Sequence, residues 1–319
     1  MSIKDYADRD GWLWLDGKLV PWRDATAHVL THALHYASAV FEGQRAYGGQ
    51  IFRLNDHSRR LHSSARLLDF EIPWSVDEVD AACNQVLEAN DLSDAYVRPI
   101  AWCGSEAMGL STEDTTVHLA IGAWPWGKYF DDGAKGIRLD IASYRRPPDY
   151  AAPVHAKAAG LYMIATLSKM RAARRGYDDA LMLDWRGQVA EATGANVFFV
   201  NGDVLHTPAP DCFLNGLTRQ TVIDLARRRG IEVVERAIWP EELETFEQMF
   251  LTGSAAEVTL VGEAGPWSFE VGEMSRQLAK DYDNLVNGET SVTGRGWRRR
   301  RFPVQMIEWN FLPCLISTA

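Results

Sequence analysis

Hydrophobic and polar positions alternate with period two at the start of the chain, then lengthen to a helical period and back several times. Trp12-Leu13-Trp14-Leu15 and Lys18-Leu19-Val20 flank Asp16-Gly17, which predicts two short strands around a tight turn. Residues 40–47 alternate as one strand, stop at Gly48-Gly49 and restart at Gln50-Ile51-Phe52-Arg53-Leu54 as a second hairpin. Asn55 is a fair N-cap for a helix through Leu68, with Leu61, Ala65 and Leu68 on its apolar stripe and Arg59, Arg60 and Arg66 off it. Ser75 with Glu78 has the spacing of a capping box, opening a helix to about Asn90. Residues 95–102 and 117–124 follow as strands.

The stretch 125–136 mixes Pro, Gly, Asp and aromatic residues, the composition of a connection between domains. It divides the chain into a smaller N-terminal domain, residues 1–128, an interdomain loop, 129–136, and a larger C-terminal domain, 137–289. The second domain opens with a strand at 137–142 and a helix from about Gly160 to Arg175, closed by Gly176. Strands at 179–184, 197–200 and 203–206 are separated by Arg186-Gly187 and Asn201-Gly202 turns, with Glu191 inside this sheet region. Asn215-Gly216-Leu217-Thr218-Arg219 leads a helix to Arg229-Gly230. A strand at 232–234, a short helix after Pro240, a strand at 248–251 ending in Thr252-Gly253-Ser254-Ala255-Ala256 and a last helix at 272–286 complete the body. Strands preceding and flanking helices in both halves predict an α/β (α+β) fold.

A chain of 319 residues with 46% hydrophobic content can fill two cores. The four cysteines are scattered without CxxC spacing, which fits a reducing compartment and neither a disulfide framework nor a thiolate metal site. The N-terminus lacks an apolar signal segment and no 18-residue apolar run occurs, so a cytoplasmic protein without membrane contact is expected. The net charge of −10 argues against nucleic acid as a partner. Residues 290–319 hold five arginines and one glutamate, a basic tail that follows no clear period, expected to be solvated or disordered.

The candidate chemistry begins at Val154-His155-Ala156-Lys157-Ala158-Ala159-Gly160, where one lysine sits among small, largely apolar residues. Desolvation there favours the neutral amine, an imine-forming nucleophile. His28, His32 and His35 are spaced for one helical face, but no carboxylate or thiolate completes a metal set, and no metal is expected. Gly216-Leu217-Thr218 at a helix start and Thr252-Gly253-Ser254-Ala255 at a strand end both offer backbone N–H groups to an anion. A lysine, a phosphate cup and an isolated carboxylate, Glu191, are the set that pyridoxal phosphate requires.

Eight segments in order carry a specific resemblance: His32-Ala33-Leu34-His35-Tyr36, Phe41-Glu42-Gly43, Tyr96-Val97-Arg98-Pro99, Pro125-Trp126-Gly127-Lys128-Tyr129, Ala156-Lys157-Ala158, Ala190-Glu191-Ala192-Thr193-Gly194-Ala195-Asn196, Gly216-Leu217-Thr218-Arg219 and Gly253-Ser254-Ala255-Ala256-Glu257. Over about residues 10–288 the chain resembles the branched-chain-amino-acid aminotransferases, class IV enzymes of pyridoxal-phosphate fold type IV. The resemblance implies two domains with the active site between them, and pyridoxal 5'-phosphate as cofactor. Lys157 would form the imine and move the proton, Glu191 would pair with the pyridine nitrogen and Tyr162 would bond the phenolic oxygen. Arg60, Leu217, Thr218 and Ser254 would hold the phosphate. Phe41, Trp126, Tyr129 and Ala255 would line an apolar pocket, while Tyr96 and Arg98 would hold substrate carboxylates. Tyr36 and Leu110 would enter from a neighbouring subunit, which implies a homodimer or dimer-based oligomer. The implied reaction is ping-pong transfer of the amino group between leucine, isoleucine or valine and 2-oxoglutarate. The rivals are a D-amino-acid or (R)-amine transaminase, an aminodeoxychorismate-lyase-like enzyme, and a non-catalytic binding protein. Ala195, Ala159 and Leu161 depart from the residues common in the family, and the tail after about Gly288 has no counterpart in it.

Overall fold

The computed structural model describes residues 5–130 and 133–289, so the basic tail lies outside the described residues. The N-terminal part contains the strands β1 (Trp12–Leu15), β2 (Lys18–Pro21), β3 (Ala39–Phe41), β4 (Gln44–Tyr47), β5 (Gln50–Ile51), β6 (Ala95–Cys103) and β7 (Val117–Pro125). Its helices are α1 (His32–Tyr36), α2 (Leu54–Leu67) and α3 (Val76–Ala89). The strands form one antiparallel sheet in the order β2-β1-β7-β6-β4-β5, with β3 also on β6. Leu61 and Ala65 of α2 and Val79, Cys83 and Val86 of α3 pack with Val97, Leu119 and Ile121 into a single core. The capping box forms as the sequence predicts, with Glu78 N–H donating to Ser75 Oγ and Ser75 N–H to Glu78 Oε2.

Two expectations for this half change. Residues 40–47 are two strands, β3 and β4, although both keep the same register on β6. The break falls opposite Pro99, which accepts from Glu42 N–H but has no N–H to return the bond. Helix α2 begins at Leu54, with Arg53 as N-cap in the left-handed region at φ 53°, rather than at Asn55. Tertiary bonds fix that conformation: Arg53 donates from Nε to Asp56 Oδ2 at 2.6 Å and from Nη1 to the Leu217 carbonyl at 2.9 Å.

The C-terminal part holds β8 (Ile137–Arg146), β9 (Asp179–Asp184), β10 (Val189–Ala192), β11 (Asn196–Asn201), β12 (Val204–Pro208), β13 (Glu232–Arg236), β14 (Gln248–Gly253), β15 (Glu257–Ala264) and β16 (Trp267–Ser268). Its helices are α4 (Tyr162–Arg174), α5 (Leu217–Arg228) and α6 (Glu273–Val286), with 3-10 turns at Ala159–Leu161 and Pro240–Thr245. The sheet runs β10-β9-β8-β15-β14-β11-β12-β13, mixed parallel and antiparallel, with β16 beside β15. Strand β11 shows why its sequence is continuously apolar. Val197 and Phe199 face one core with Met249 and Phe246, while Phe198 and Val200 face the other with Val222, Leu278 and Tyr282 of α5 and α6. The sequence pattern misses β15, because Glu257 opens it with φ 53° and Gly262 interrupts its alternation. No helix among the described residues is long and apolar enough to cross a membrane.

The connection enters β8 through two glycines packed backbone to backbone. Gly136 has φ 73°, and a Cβ there would lie 2.7 Å from Gly262 N and 3.0 Å from Leu260 O; one on Gly262 would strike the Lys135 carbonyl. Gly136→Ala is therefore expected to destabilise the protein by about 2 kcal/mol, seen as a lower urea midpoint with an unchanged m-value.

Candidate active site

Lys157 is placed by its backbone before its side chain is considered. Its N–H donates to Ser64 Oγ of α2 at 2.9 Å, and its carbonyl accepts from Phe41 N–H of β3 at 3.1 Å. Val40 and Ala158 form an isolated antiparallel bridge beside these bonds. A lysine of the C-terminal part is thus hydrogen-bonded through its main chain to the N-terminal part. Its Nζ donates to Tyr162 Oη at 2.7 Å, from the first residue of α4, and lies 5.0 Å from the Phe41 ring centroid.

Around that amine the structure gathers most of the substrate residues predicted from sequence. The Phe41 and Tyr162 rings are 4.8 Å apart, and the Arg98 guanidinium carbon is 4.7 Å from the Phe41 centroid. Arg98 Nη2 donates to Tyr96 Oη at 2.8 Å, while its Nε is buried without a hydrogen-bond partner. Tyr96 packs on Trp126 at 5.1 Å, and Trp126 stacks on Tyr129 at 6.1 Å. Trp126 Nε1 is a second buried donor without a partner. Buried polar groups are ordinarily satisfied, so unmatched donors beside an amine and aromatic walls mark a place for a polar ligand. A Cβ on Gly43 would collide with Tyr96 Oη, so glycine at that position lets the tyrosine lie against the strand.

Glu191 on β10 is half-buried, with Oε1 3.3 Å from Arg146 Nε at the end of β8. Burial pushes its carboxyl up to about 7 against the opposing pull of Arg146 and Lys157. Asn196 lies beside it: Nδ2 is 3.5 Å from Glu191 Oε2 and donates to the Leu214 carbonyl, and Oδ1 accepts from Gly216 N–H at 3.1 Å. Gly216 is the N-cap of α5, and a Cβ there would overlap Asn196 Oδ1. Asn196 also pairs with Thr252 across β11 and β14, which brings the Ser254–Ala255 turn beside the start of α5. Leu217 and Thr218 supply the first N–H groups of that helix, four of which have no partner within a helix. Lysine, ring carboxylate and helix-start cup therefore fit the pyridoxal phosphate expected from sequence.

Arg60 stands in a network that the sequence does not reveal. Its Nε and Nη2 donate to Oε1 and Oε2 of Glu42 at 2.7 and 2.8 Å, and Glu42 Oε2 also meets His57 Nδ1 at 2.6 Å. Burial opposes the charge on Glu42, but Arg60 and His57 outweigh it and hold the carboxyl well below the usual carboxylate range. Burial pushes His57 down despite Glu42, so the neutral imidazole donates its Nδ1 proton.

Comparison with known proteins gives the family. The family model for amino-transferase class IV matches residues 39–264. The chain belongs to the class IV aminotransferases. A branched-chain-amino-acid aminotransferase of Pseudomonas aeruginosa is 42% identical over 92% of this chain and 98% of that protein. The T.th. branched-chain amino acid aminotransferase complexed with N-(5'-phosphopyridoxyl)-L-glutamate superposes with a TM-score of 0.85 at 36% identity, covering 89% and 96% of the two chains. That of Thermobaculum terrenum in its PLP form gives 0.81 at 33%, covering 88% and 94%.

Within this aminotransferase chain, Tyr36 and Leu110 stand apart from the gathered residues, 45% and 83% exposed on the outside of the N-terminal part. His32, buried on α1, joins their segments through Nε2 to the Gly109 carbonyl at 2.8 Å and Nδ1 to Ser38 Oγ at 2.6 Å. The histidine spacing thus serves packing. Arg146, Asn196, Glu42 and His57 are the residues that sequence reasoning assigns no role. The nearest signal for Arg146 is that an arginine before Pro147 ends an alternating strand.

Because the Glu191 carboxyl is raised from 4.5 to about 7 on folding, the folded chain keeps its proton where the unfolded chain has lost it. Stability of the cofactor-free protein then falls as pH rises from about 4.5 to about 7. Glu191→Gln is expected to remove up to roughly 3 kcal/mol of that decline, measured by urea unfolding across this range.

Proposed function

We propose that the protein is a pyridoxal-phosphate-dependent transaminase that moves the amino group between branched-chain L-amino acids and 2-oxoglutarate in two half-reactions. The observation that carries this reading is the Lys157 amine, 2.7 Å from Tyr162 Oη and backed by Phe41 and Arg98. The relative solved with a phosphopyridoxyl-glutamate supports both the cofactor and an acidic partner in the same pocket. Relatives named for branched-chain amino acids support the apolar donor.

When bound, pyridoxal phosphate supplies an electron sink for the carbanion formed at the amino-acid Cα. Lys157 Nζ carries the Cα proton, and Tyr162 Oη orients the amine by accepting its hydrogen bond. Glu191, kept in place by Arg146 and Asn196, would pair with the ring nitrogen. Leu217, Thr218, Ser254 and Arg60 would hold the phosphate, with Glu42 fixing the arginine's orientation. Phe41, Trp126, Tyr129 and Ala255 enclose the aliphatic side chain, and Arg98 with Tyr96 Oη takes the carboxylates. One pocket thus serves an apolar donor and a dicarboxylate acceptor.

We place the domain limits at 1–128 and 137–289, on either side of the 129–136 loop, a division that the two separate sheets support. Exposed Tyr36 and Leu110 complete a neighbouring subunit's pocket in a homodimer or dimer-based assembly. A cytoplasmic location fits Cys83, Cys103 and Cys212, which are free and buried.

L-Leucine should bleach the visible band of the protein-bound cofactor while D-alanine and a simple amine leave it intact; a band indifferent to L-leucine overturns the assignment. Lys157→Ala should lower turnover at least a hundredfold to ten-thousandfold, roughly the range of proton-transfer catalysis, in a steady-state assay with L-leucine and 2-oxoglutarate.

A further inference from the structure

Lys169 lies two turns after Tyr162 on α4 and meets the rings of Tyr129 and Phe130. Its Nζ is 4.6 Å from the Phe130 ring centroid and 5.4 Å from that of Tyr129. The same ammonium is 3.6 Å from Oδ2 of Asp179, a β9 residue only 2% exposed. Asp179 Oδ1 accepts from Thr193 Oγ1 at 2.5 Å and from Ala180 N–H at 2.8 Å. Thr193 is two residues beyond Glu191. One ammonium therefore joins the helix that begins at Tyr162, the connection that carries Tyr129, and the turn that follows Glu191.

The geometry points to Lys169 as a positioning residue for amino-donor selection, its ammonium fixed by Asp179 so that it seats Tyr129 and Phe130 and closes the apolar wall of the substrate pocket. This rests on Tyr129 lining that pocket. Tyr129 is 47% exposed and stacks on Trp126 at an interplanar angle of 17°. Phe130 packs against one core of the larger sheet. Tyr129 also meets the Phe130 ring edge-on at 4.6 Å, and the cation lies against both rings, adding a link from this pair to the body of the C-terminal part. A free lysine loses side-chain entropy on such a contact, but here the buried carboxylate has already restricted it. The cation also suits Asp179, whose carboxyl burial pushes up against the pull of Lys169.

The experiment compares holoenzyme carrying Lys169→Met, Lys169→Arg and Lys169→Met with Asp179→Asn. Lys169→Met should raise KM for L-leucine roughly fivefold to thirtyfold, the range of two cation–π contacts, with kcat within about twofold of wild type. Such a split reports lost binding rather than lost chemistry. L-Glutamate, anchored by its second carboxylate, should be affected less, and Lys169→Arg should recover most of the loss. Trypsin should cut after Lys128 faster in Lys169→Met than in wild type. The double variant removes the carboxylate left unpaired, and it should stay defective if ring seating is what matters. An unchanged KM in Lys169→Met, or a wild-type KM in the double variant, overturns the proposal. If wild-type enzyme itself fails to turn over L-leucine, the transaminase reading falls, and faster cleavage after Lys128 in Lys169→Met still reports whether the ammonium seats the connection.

Discussion

Two backbone hydrogen bonds on Lys157, one from Phe41 N–H and one to Ser64 Oγ, hold the site together. They fix the lysine's main chain to the N-terminal part while Tyr162 and the Glu191 strand belong to the C-terminal part. Neither half contains the arrangement alone. Arg53 reinforces the junction by reaching from the start of α2 to the Leu217 carbonyl at the start of α5. A left-handed backbone at a non-glycine residue costs of order 1 kcal/mol or more, and Arg53 bears it where its guanidinium bonds both halves.

Electrostatics divides the labour between a buried carboxylate and a half-buried one. Glu42 meets an arginine fork and an imidazole and stays ionised, so it can restrain Arg60 rigidly. Glu191 has a single arginine at a looser distance and a more remote lysine, and desolvation outweighs their pull. The difference is one of compensation, since Glu42 is the more deeply buried of the two and is nevertheless the one that stays ionised. A fully matched carboxylate serves as a fixed strut, whereas an under-compensated one retains an appetite for a cationic partner.

Local signals make much of this molecule legible from its sequence. The Asp16-Gly17 turn, the Ser75–Glu78 box and the doubly buried run at 197–200 each encode their structure within a few residues. Lys157 and Glu191 stand out because each is a charged residue in a stretch of small or apolar ones. What stays hidden depends on distant partners. The strand break at Glu42 is caused by Pro99, the early start of α2 by Leu217, and the placement of Arg146 by a carboxylate on another strand. Asn196 is visible as a residue, but its bond to Gly216 closes only when β11 meets α5. Likewise β15 is recognisable by its neighbours β14 and β8 more than by its own alternation.

The clamp on Lys157 also sets an order of events during synthesis. Its anchors, Val40, Phe41 and Ser64, leave the ribosome well before the lysine does, while Glu191 and the α5 cup follow it. The lysine's main chain can dock on residues already made, whereas Glu191 and the start of α5 join it only after later strands insert. The surroundings of Lys157 are thus completed late, and a chain that stops before Glu191 holds the clamp residues without the carboxylate.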